Sequence, residues 1–278
     1  MFSIKFDFDK KEYLKTLQNV KDKNINTICI EANCPNRYEC FSKNTATFLV
    51  LGKTCTRNCK YCNVSKASVG DSYESEKDTI LKAISEMALD YVVITQVTRD
   101  DLNDSGASYI ADLIRSIKDS NPNIFVEVLI SDLKGSIDDL KTILDAKPDV
   151  LNHNIEVVER LFETLRNKGS YKWSLDILKN AKMIDPKIKV KSGMMVGLSE
   201  SLDEINKTMS DLKDCGVDII TIGQYLRPNK DCEKVFKVYS DEEFLNIEKM
   251  GYEVGFSKVI SGKYVRSSYK AKESFNEN

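Results

Sequence analysis

The spacing of apolar positions changes along the chain. From Thr45 onward, short β-rich runs alternate with longer stretches in which apolar residues recur at helical spacing. The runs at 47–51, 91–95, 124–129, 149–152, 188–191 and 217–222 read as strands. The stretches at 76–89, 106–118, 137–146, 157–166 and 202–214 read as amphipathic helices. Ser136 with Ile137, Asp138 and Asp139 behind it, and the capping box from Ser201 to Glu204, mark two helix starts. Ahead of this rhythm, residues 1 to about 28 form an arm with a short helix predicted over 9–22.

Six strand–helix units imply a parallel sheet, because each return crossover needs a helix. The helices alone leave two closures open, a doubly wound sheet or an incomplete barrel. Polar clusters at 95–101, 153–156, 191–200 and 223–227 gather at strand ends. In β/α barrels the chemistry sits at the C-terminal ends of the strands. The expected fold is therefore α/β, a partial (β/α)6 barrel of parallel strands over 45–240. An N-terminal extension (1–44) and a C-terminal extension (241–278) flank it.

Composition narrows the function classes. With 41% apolar and 30% charged residues, the 278-residue chain can bury an ordinary core. A net charge of -2 without a basic face argues against a nucleic-acid partner. No apolar run approaches the length of a membrane span. The first residues resemble neither a signal peptide nor an Arg-rich transit segment, so a cytoplasmic protein is expected. Cysteine usage is the main clue. Six of the eight cysteines fall between positions 29 and 62, a density that in a reducing compartment points to metal or redox chemistry. The single histidine, His153, disfavours a mixed Cys/His zinc site.

Cys55, Cys59 and Cys62 are spaced C-x3-C-x2-C in a loop directly after the first predicted strand. Three thiolates can hold three irons of a cubane and leave the fourth open as a binding site. A zinc ribbon would need a fourth ligand nearby, and none stands there. Upstream, Cys29, Cys34 and Cys40 form C-x4-C-x5-C in a polar, Pro-containing segment. That spacing is too wide for a zinc knuckle and reads as a second cubane short of one cysteine ligand.

The downstream triplet, with Tyr61 just before its last cysteine, resembles the signature of the radical S-adenosylmethionine (SAM) superfamily. The two triplets in this order resemble the lipoyl synthase family in particular. The resemblance continues through Thr95–Leu102, which reads Thr-Gln-Val-Thr-Arg-Asp-Asp-Leu, through His153-Asn154-x-Glu156 and through Lys191-Ser192-Gly193 with Gly197 behind it. Gly223-Gln224-Tyr225 and the Arg266-Ser267-Ser268-Tyr269 segment complete it, so that it covers about 29–273. Four departures from the family pattern are Lys53, Gln96, Thr98 and the lack of a Lys-Pro-x-Trp segment in 1–28.

The resemblance implies two [4Fe-4S] clusters and SAM as cofactors. Cys55, Cys59 and Cys62 would hold the cluster that splits SAM. Cys29, Cys34 and Cys40, with Ser268 as fourth ligand, would hold an auxiliary cluster that is consumed as the sulfur source. The substrate implied is an octanoyl group on a lysine of a lipoyl carrier, either the glycine-cleavage H protein or a 2-oxoacid dehydrogenase lipoyl domain. A low-potential donor such as ferredoxin or flavodoxin, and an iron–sulfur carrier, would be further partners. Another two-cluster radical sulfur inserter and a two-cluster electron carrier are the rival readings.

Ser268 and Arg266 are the candidate catalytic residues, and Thr95, Asn154, Glu156, Lys191, Gly193 and Gln224 the candidate SAM-binding residues. Taken alone, Asn154 and Glu156 fit a helix cap with a first-turn acid better than they fit a contact to a ribose or amino-acid moiety. Gly193 and Gly197 are expected to flank the end of the fifth strand, where a backbone can approach adenine closely. Arg99, Asp100 and Asp101 are expected either to line the cofactor's amino-acid portion or to form a solvated loop. His153 reads as a structural imidazole. Cys215 reads as packing.

Overall fold

The computed structural model describes residues 8–43 and 45–276. The arm's first seven residues and the last two of the C-terminal extension therefore lie outside the described residues, as does Asn44. Seven parallel strands form the main sheet: β1 (Thr47–Val50), β2 (Tyr91–Gln96), β3 (Phe125–Leu129), β4 (Val150–Asn152), β5 (Lys189–Val196), β6 (Ile219–Gln224) and β7 (Lys258–Gly262). Their order in the sheet is their order in the chain. A doubly wound sheet reverses direction partway, so an unbroken sequential order is the mark of a barrel. β1 and β7 are not paired, which leaves the barrel partial.

The longer helices are α1 (Lys10–Asp22), α2 (Glu76–Glu86), α3 (Ala107–Ser120), α4 (Ile137–Leu144), α5 (Tyr171–Ile184), α6 (Leu202–Asp214) and α7 (Asp241–Val254). Their apolar stripes meet the sheet in one continuous core that includes Ile94, Ile114, Val128, Ile177 and Ile220. Asp9 caps α1 by accepting from the backbone of Lys11 and Glu12. The capping box at Ser201 and Glu204 opens α6 as the sequence predicted.

Three elements differ from expectation. The stretch 157–166 is not one helix but a 3-10 turn, Glu159–Leu161, followed by the short helix Phe162–Leu165. Lys168, in the left-handed region at φ 61°, breaks it, and Ser170 then caps α5 by accepting from Trp173 N. The crossover between β4 and β5 is therefore α5. The fifth strand is longer than predicted, and Gly193 lies inside it rather than at its end. Finally, α7 and β7 add a seventh unit within the segment set aside as a C-terminal extension.

Candidate active site

The C-terminal ends of the strands surround one cavity of about 780 Å³. Its walls bring together residues far apart in sequence. Cys29 and Cys34 line it with Cys55, Cys59, Cys62 and Ser268. Thr95, Asn154, Glu156 and Arg266 also face it. Cys40 is half-buried on the short helix Arg37–Ser42, close enough to Cys29 and Cys34 for their charges to act on it.

The loop carrying Cys55, Cys59 and Cys62 is fastened to the barrel at many points. Thr54–Cys55 pairs in parallel with Ser65–Lys66, which closes the loop on itself. Leu51 N and Gly52 N donate to the Glu76 carboxylate at the start of α2, at 2.9 and 3.0 Å. Thr56 N donates to Thr98 O, and Lys60 N to Leu165 O. Arg57 is the central fastening. Its guanidinium is 3% exposed and forks onto Asp100, at 2.8 and 2.9 Å, and onto Asp132, at 2.6 and 2.7 Å. Two bidentate pairs fix the plane of the guanidinium and hence the loop between the ends of β2 and β3. Burial pushes the Asp132 carboxyl up, but Arg57 overrides it and holds that carboxyl below its usual range.

The region around Cys29, Cys34 and Cys40 is assembled from both ends of the chain. Cys29 sits on the short helix Ile28–Glu31, and Cys34 N donates to Cys29 O at 3.1 Å. The C-terminal segment crosses over the strand ends to reach it. Gly223 in β6 makes this crossing feasible, since a Cβ there would lie 2.1 Å from Val265 O. Asn36 Nδ2 then donates to Tyr264 O at 2.6 Å, and Tyr269 OH to Glu39 Oε2 at 2.8 Å. These two bonds hold Ser267 and Ser268 against the cavity.

The chemistry of the donors fits iron–sulfur clusters. Burial, and then the neighbouring thiols, push Cys40 and Cys62 up to about 12, while burial and Cys34 push Cys29 to about 11. Thiols bind soft metal as thiolates by releasing their protons to it. Among the described residues no group of three His, Cys, Asp or Glu is gathered closely enough for a single metal ion. A cubane spreads its irons over several faces, and its thiolates stand correspondingly further apart.

The other expected residues fall into two groups. Asn154 Nδ2 donates to Glu156 Oε1 at 3.1 Å and to Ser267 Oγ at 3.2 Å, while its buried Oδ1 has no partner. Burial raises the Glu156 carboxyl, with Arg166 and Arg266 pulling the other way. Gly193 acts through Asn154, because a Cβ there would lie 2.7 Å from Asn154 Oδ1. Thr95 Oγ1 donates to Leu129 O at 3.3 Å on the cavity wall.

Lys191 and Gln224 do not line the cavity. The Lys191 ammonium lies deeper in the barrel on Glu127 at 3.0 Å, with both side chains 1% exposed. The Gln224 amide is spent on backbone groups: it donates to Val196, Tyr225 and Lys237 carbonyls and accepts from Tyr239 N. Arg99 and Asp101 likewise pair with each other, and Arg99 Nη1 braces Leu51 O and Asp71 O at 2.9 Å each. Cys232, which had no role in the sequence reading, is buried with its Sγ 3.6 Å from Cys62 O. Arg57, Asp132 and Arg166 are the site residues the sequence reading missed. Only the position of Arg57 between two ligand cysteines hinted at any of them.

Comparison with known proteins agrees with this geometry. The Radical SAM superfamily model matches residues 49–212. The lipoyl synthase of Caldicellulosiruptor bescii is 48% identical over 89% of this chain and 85% of its own length. The lipoyl synthase of Caldicellulosiruptor saccharolyticus is 44% identical over 97% of this chain and 94% of its own. Among solved structures, methylornithine synthase superposes with a TM-score of 0.59 at 11% identity, over 81% of this chain and 75% of its own, which supports the fold alone. The chain belongs to the lipoyl synthase family: it is a radical SAM sulfur-inserting enzyme that works with S-adenosylmethionine and [4Fe-4S] clusters.

Proposed function

We propose that the chain takes an octanoyl group in amide linkage to a lysine of a lipoyl carrier and inserts sulfur at C6 and C8. In this reading Cys55, Cys59 and Cys62 hold the cluster that works on SAM. Cys29, Cys34, Cys40 and Ser268 hold the auxiliary cluster. When bound, these groups supply hydrogen abstraction from unactivated carbon and the sulfur that replaces the hydrogen. The residues of the chain bind and orient. Asn154 and Glu156 are acceptors and donors for the polar part of SAM, with Thr95 beside them. The half-buried Arg266 guanidinium lies near Cys34 and Glu156, where it offsets negative charge at the auxiliary site. Leu129, Met195, Val235 and Val238 give the cavity an apolar wall suited to an acyl chain.

The observation that carries this reading is the common lining. Five of the six ligand cysteines and Ser268 face a single cavity, so a substrate carbon there lies within reach of both clusters. The carrier is the glycine-cleavage H protein or a 2-oxoacid dehydrogenase lipoyl domain, and the electron donor a low-potential ferredoxin or flavodoxin. An iron–sulfur carrier would rebuild the auxiliary cluster in the cytoplasm. No helix among the described residues is long and apolar enough to cross a membrane.

Anaerobic turnover of reconstituted protein with SAM, dithionite and an octanoyl-lysine peptide tests the proposal by mass spectrometry. The expected product is heavier by two sulfurs less two hydrogens and appears together with 5′-deoxyadenosine. Release of 5′-deoxyadenosine with an unchanged peptide would overturn the substrate assignment.

A further inference from the structure

The chain continues past Ser268, and its last helix docks far from the cavity. After Tyr269 bonds to Glu39, Ala271 is buried and the short helix Ala271–Asn276 reaches the opposite rim of the barrel. There Lys272 Nζ meets Asp90 Oδ2 at 2.5 Å. The Phe275 ring packs on Tyr91 and Phe125, with centroids 6.0 and 5.0 Å apart. Asp90, Tyr91 and Phe125 stand at the N-terminal starts of β2 and β3. Thr95 and Leu129, near the C-terminal ends of the same strands, line the cavity. The segment from Ser268 to Phe275 therefore spans the height of the barrel, about 13 Å along β2 at the usual rise per strand residue.

The aromatic contacts are tied into the barrel interior. Tyr91 OH donates to Glu127 Oε2 at 2.8 Å, and Glu127 carries the buried charge of Lys191. Phe275 thus packs on a ring whose own position is fixed by a buried ion pair. The exposed Lys272–Asp90 pair adds orientation more than strength, because water screens it. The aromatic pair is the stronger hold.

We propose that Phe275, aided by Lys272, is a positioning residue for the auxiliary site: docked on the rim opposite the cavity, it tensions the C-terminal segment and keeps Ser268 at the cluster. This rests on the reading that Ser268 is the fourth ligand. An oxygen ligand to a soft iron centre is weak. Its residence there then depends on how firmly the backbone carrying it is held on both sides, by Asn36–Tyr264 before it and by Tyr269–Glu39 and then Phe275 after it.

The test tracks the two clusters separately in the reconstituted full-length enzyme. Iron released to a chelator reports the auxiliary cluster, and 5′-deoxyadenosine formation reports the radical cluster. Phe275→Ala is expected to release auxiliary iron about tenfold faster, the factor that corresponds to one well-packed aromatic contact. Lys272→Ala is expected to do so by a smaller factor, and Phe275→Tyr to restore the slow rate. SAM cleavage should stay at its starting level in all three, which also shows that they fold. Wild-type release rates in Phe275→Ala would overturn the proposal. Ser268→Ala separates the two ideas. If it speeds release while Phe275→Ala does not, only the positioning role falls; if it leaves release unchanged, the ligand assignment itself falls.

Discussion

Cys55, Cys59 and Cys62 hang from one loop that leaves the barrel after β1 and closes on itself at Thr54–Cys55 and Ser65–Lys66. In the proposed reading, Cys29, Cys34 and Cys40 take their fourth partner, Ser268, from a segment near the other end of the chain. The hydrogen bond tying the two, from Asn36 to Tyr264, joins residues 228 apart. The first region is fixed by buried charge: Arg57, between two of the ligands, is clamped by carboxylates at the ends of two strands. The second is fixed by a few neutral or half-exposed contacts and by a crossing over Gly223. In the proposed reading, the triplet that keeps its cluster through every turnover is the one built into the barrel, and the triplet that surrenders sulfur is the one closed by parts that can separate without disturbing the sheet.

Removing Arg57 should break this contrast most severely. Arg57→Met leaves Asp132 buried and unpaired, a loss of roughly 3–5 kcal/mol of the kind seen when one partner of a buried pair is deleted. A urea titration should show the fall in stability, and SAM cleavage should fall with it.

Acid should strain the same half of the molecule. His153 is buried at the end of β4 with Nδ1 on Ile130 O at 2.9 Å, and Nε2 has no partner. Burial and then Arg166 lower its imidazole to about 4 from an ordinary 6.5, against the pull of Asp132 and with a further push from Arg57. The unfolded chain binds a proton below pH 6.5, and the folded chain does not until about pH 4. The stability from a neutral His153 is therefore complete above that window. It declines as the pH falls through it, by about 3 kcal/mol in all. Denaturation midpoints of wild type and His153→Gln across this range should converge toward acid pH. Parallel curves would mean that His153 does not titrate in this way.

Gly223→Ala sharpens the comparison from the other side. A methyl group there must displace Val265 O, at a cost of about 1–3 kcal/mol, and the displacement falls on the C-terminal segment. Iron analysis should find one cluster's worth of metal where the wild type holds two, with SAM cleavage retained. Tyr269→Phe is the mildest change. It removes one hydrogen bond to Glu39, worth about 1 kcal/mol, and should be visible only as faster loss of auxiliary iron.

The six predicted strands lie where the periodicity put them, because parallel strands buried on both faces read as apolar runs. β7 escaped because it is an edge strand in which only Val259 is fully buried. The two cysteine triplets stand out by spacing alone, and the structure brings five of their six cysteines to the wall of the same cavity. Arg57 and Asp132 do not stand out. They are 75 residues apart, and charged residues ordinarily face water, so nothing in their neighbourhoods marks them as a buried pair. Lys191 and Gln224 failed in the opposite sense. Lys191 ends the strand the periodicity predicted but lies early in the longer β5, and Gln224 does end β6, yet the polar atoms of both are already taken inside the protein.

The bond from Asn36 to Tyr264 also bears on how the protein is made. At ordinary rates of synthesis, 228 residues take roughly ten to fifty seconds to emerge. For that interval Cys29, Cys34 and Cys40 exist as a ready set of three thiols with nothing to close over them. A cluster delivered early would meet an open, water-washed site, and so would stray metals and oxidants. Delivery after the chain has folded, by a carrier that releases iron and sulfide only into a closed site, would avoid all three.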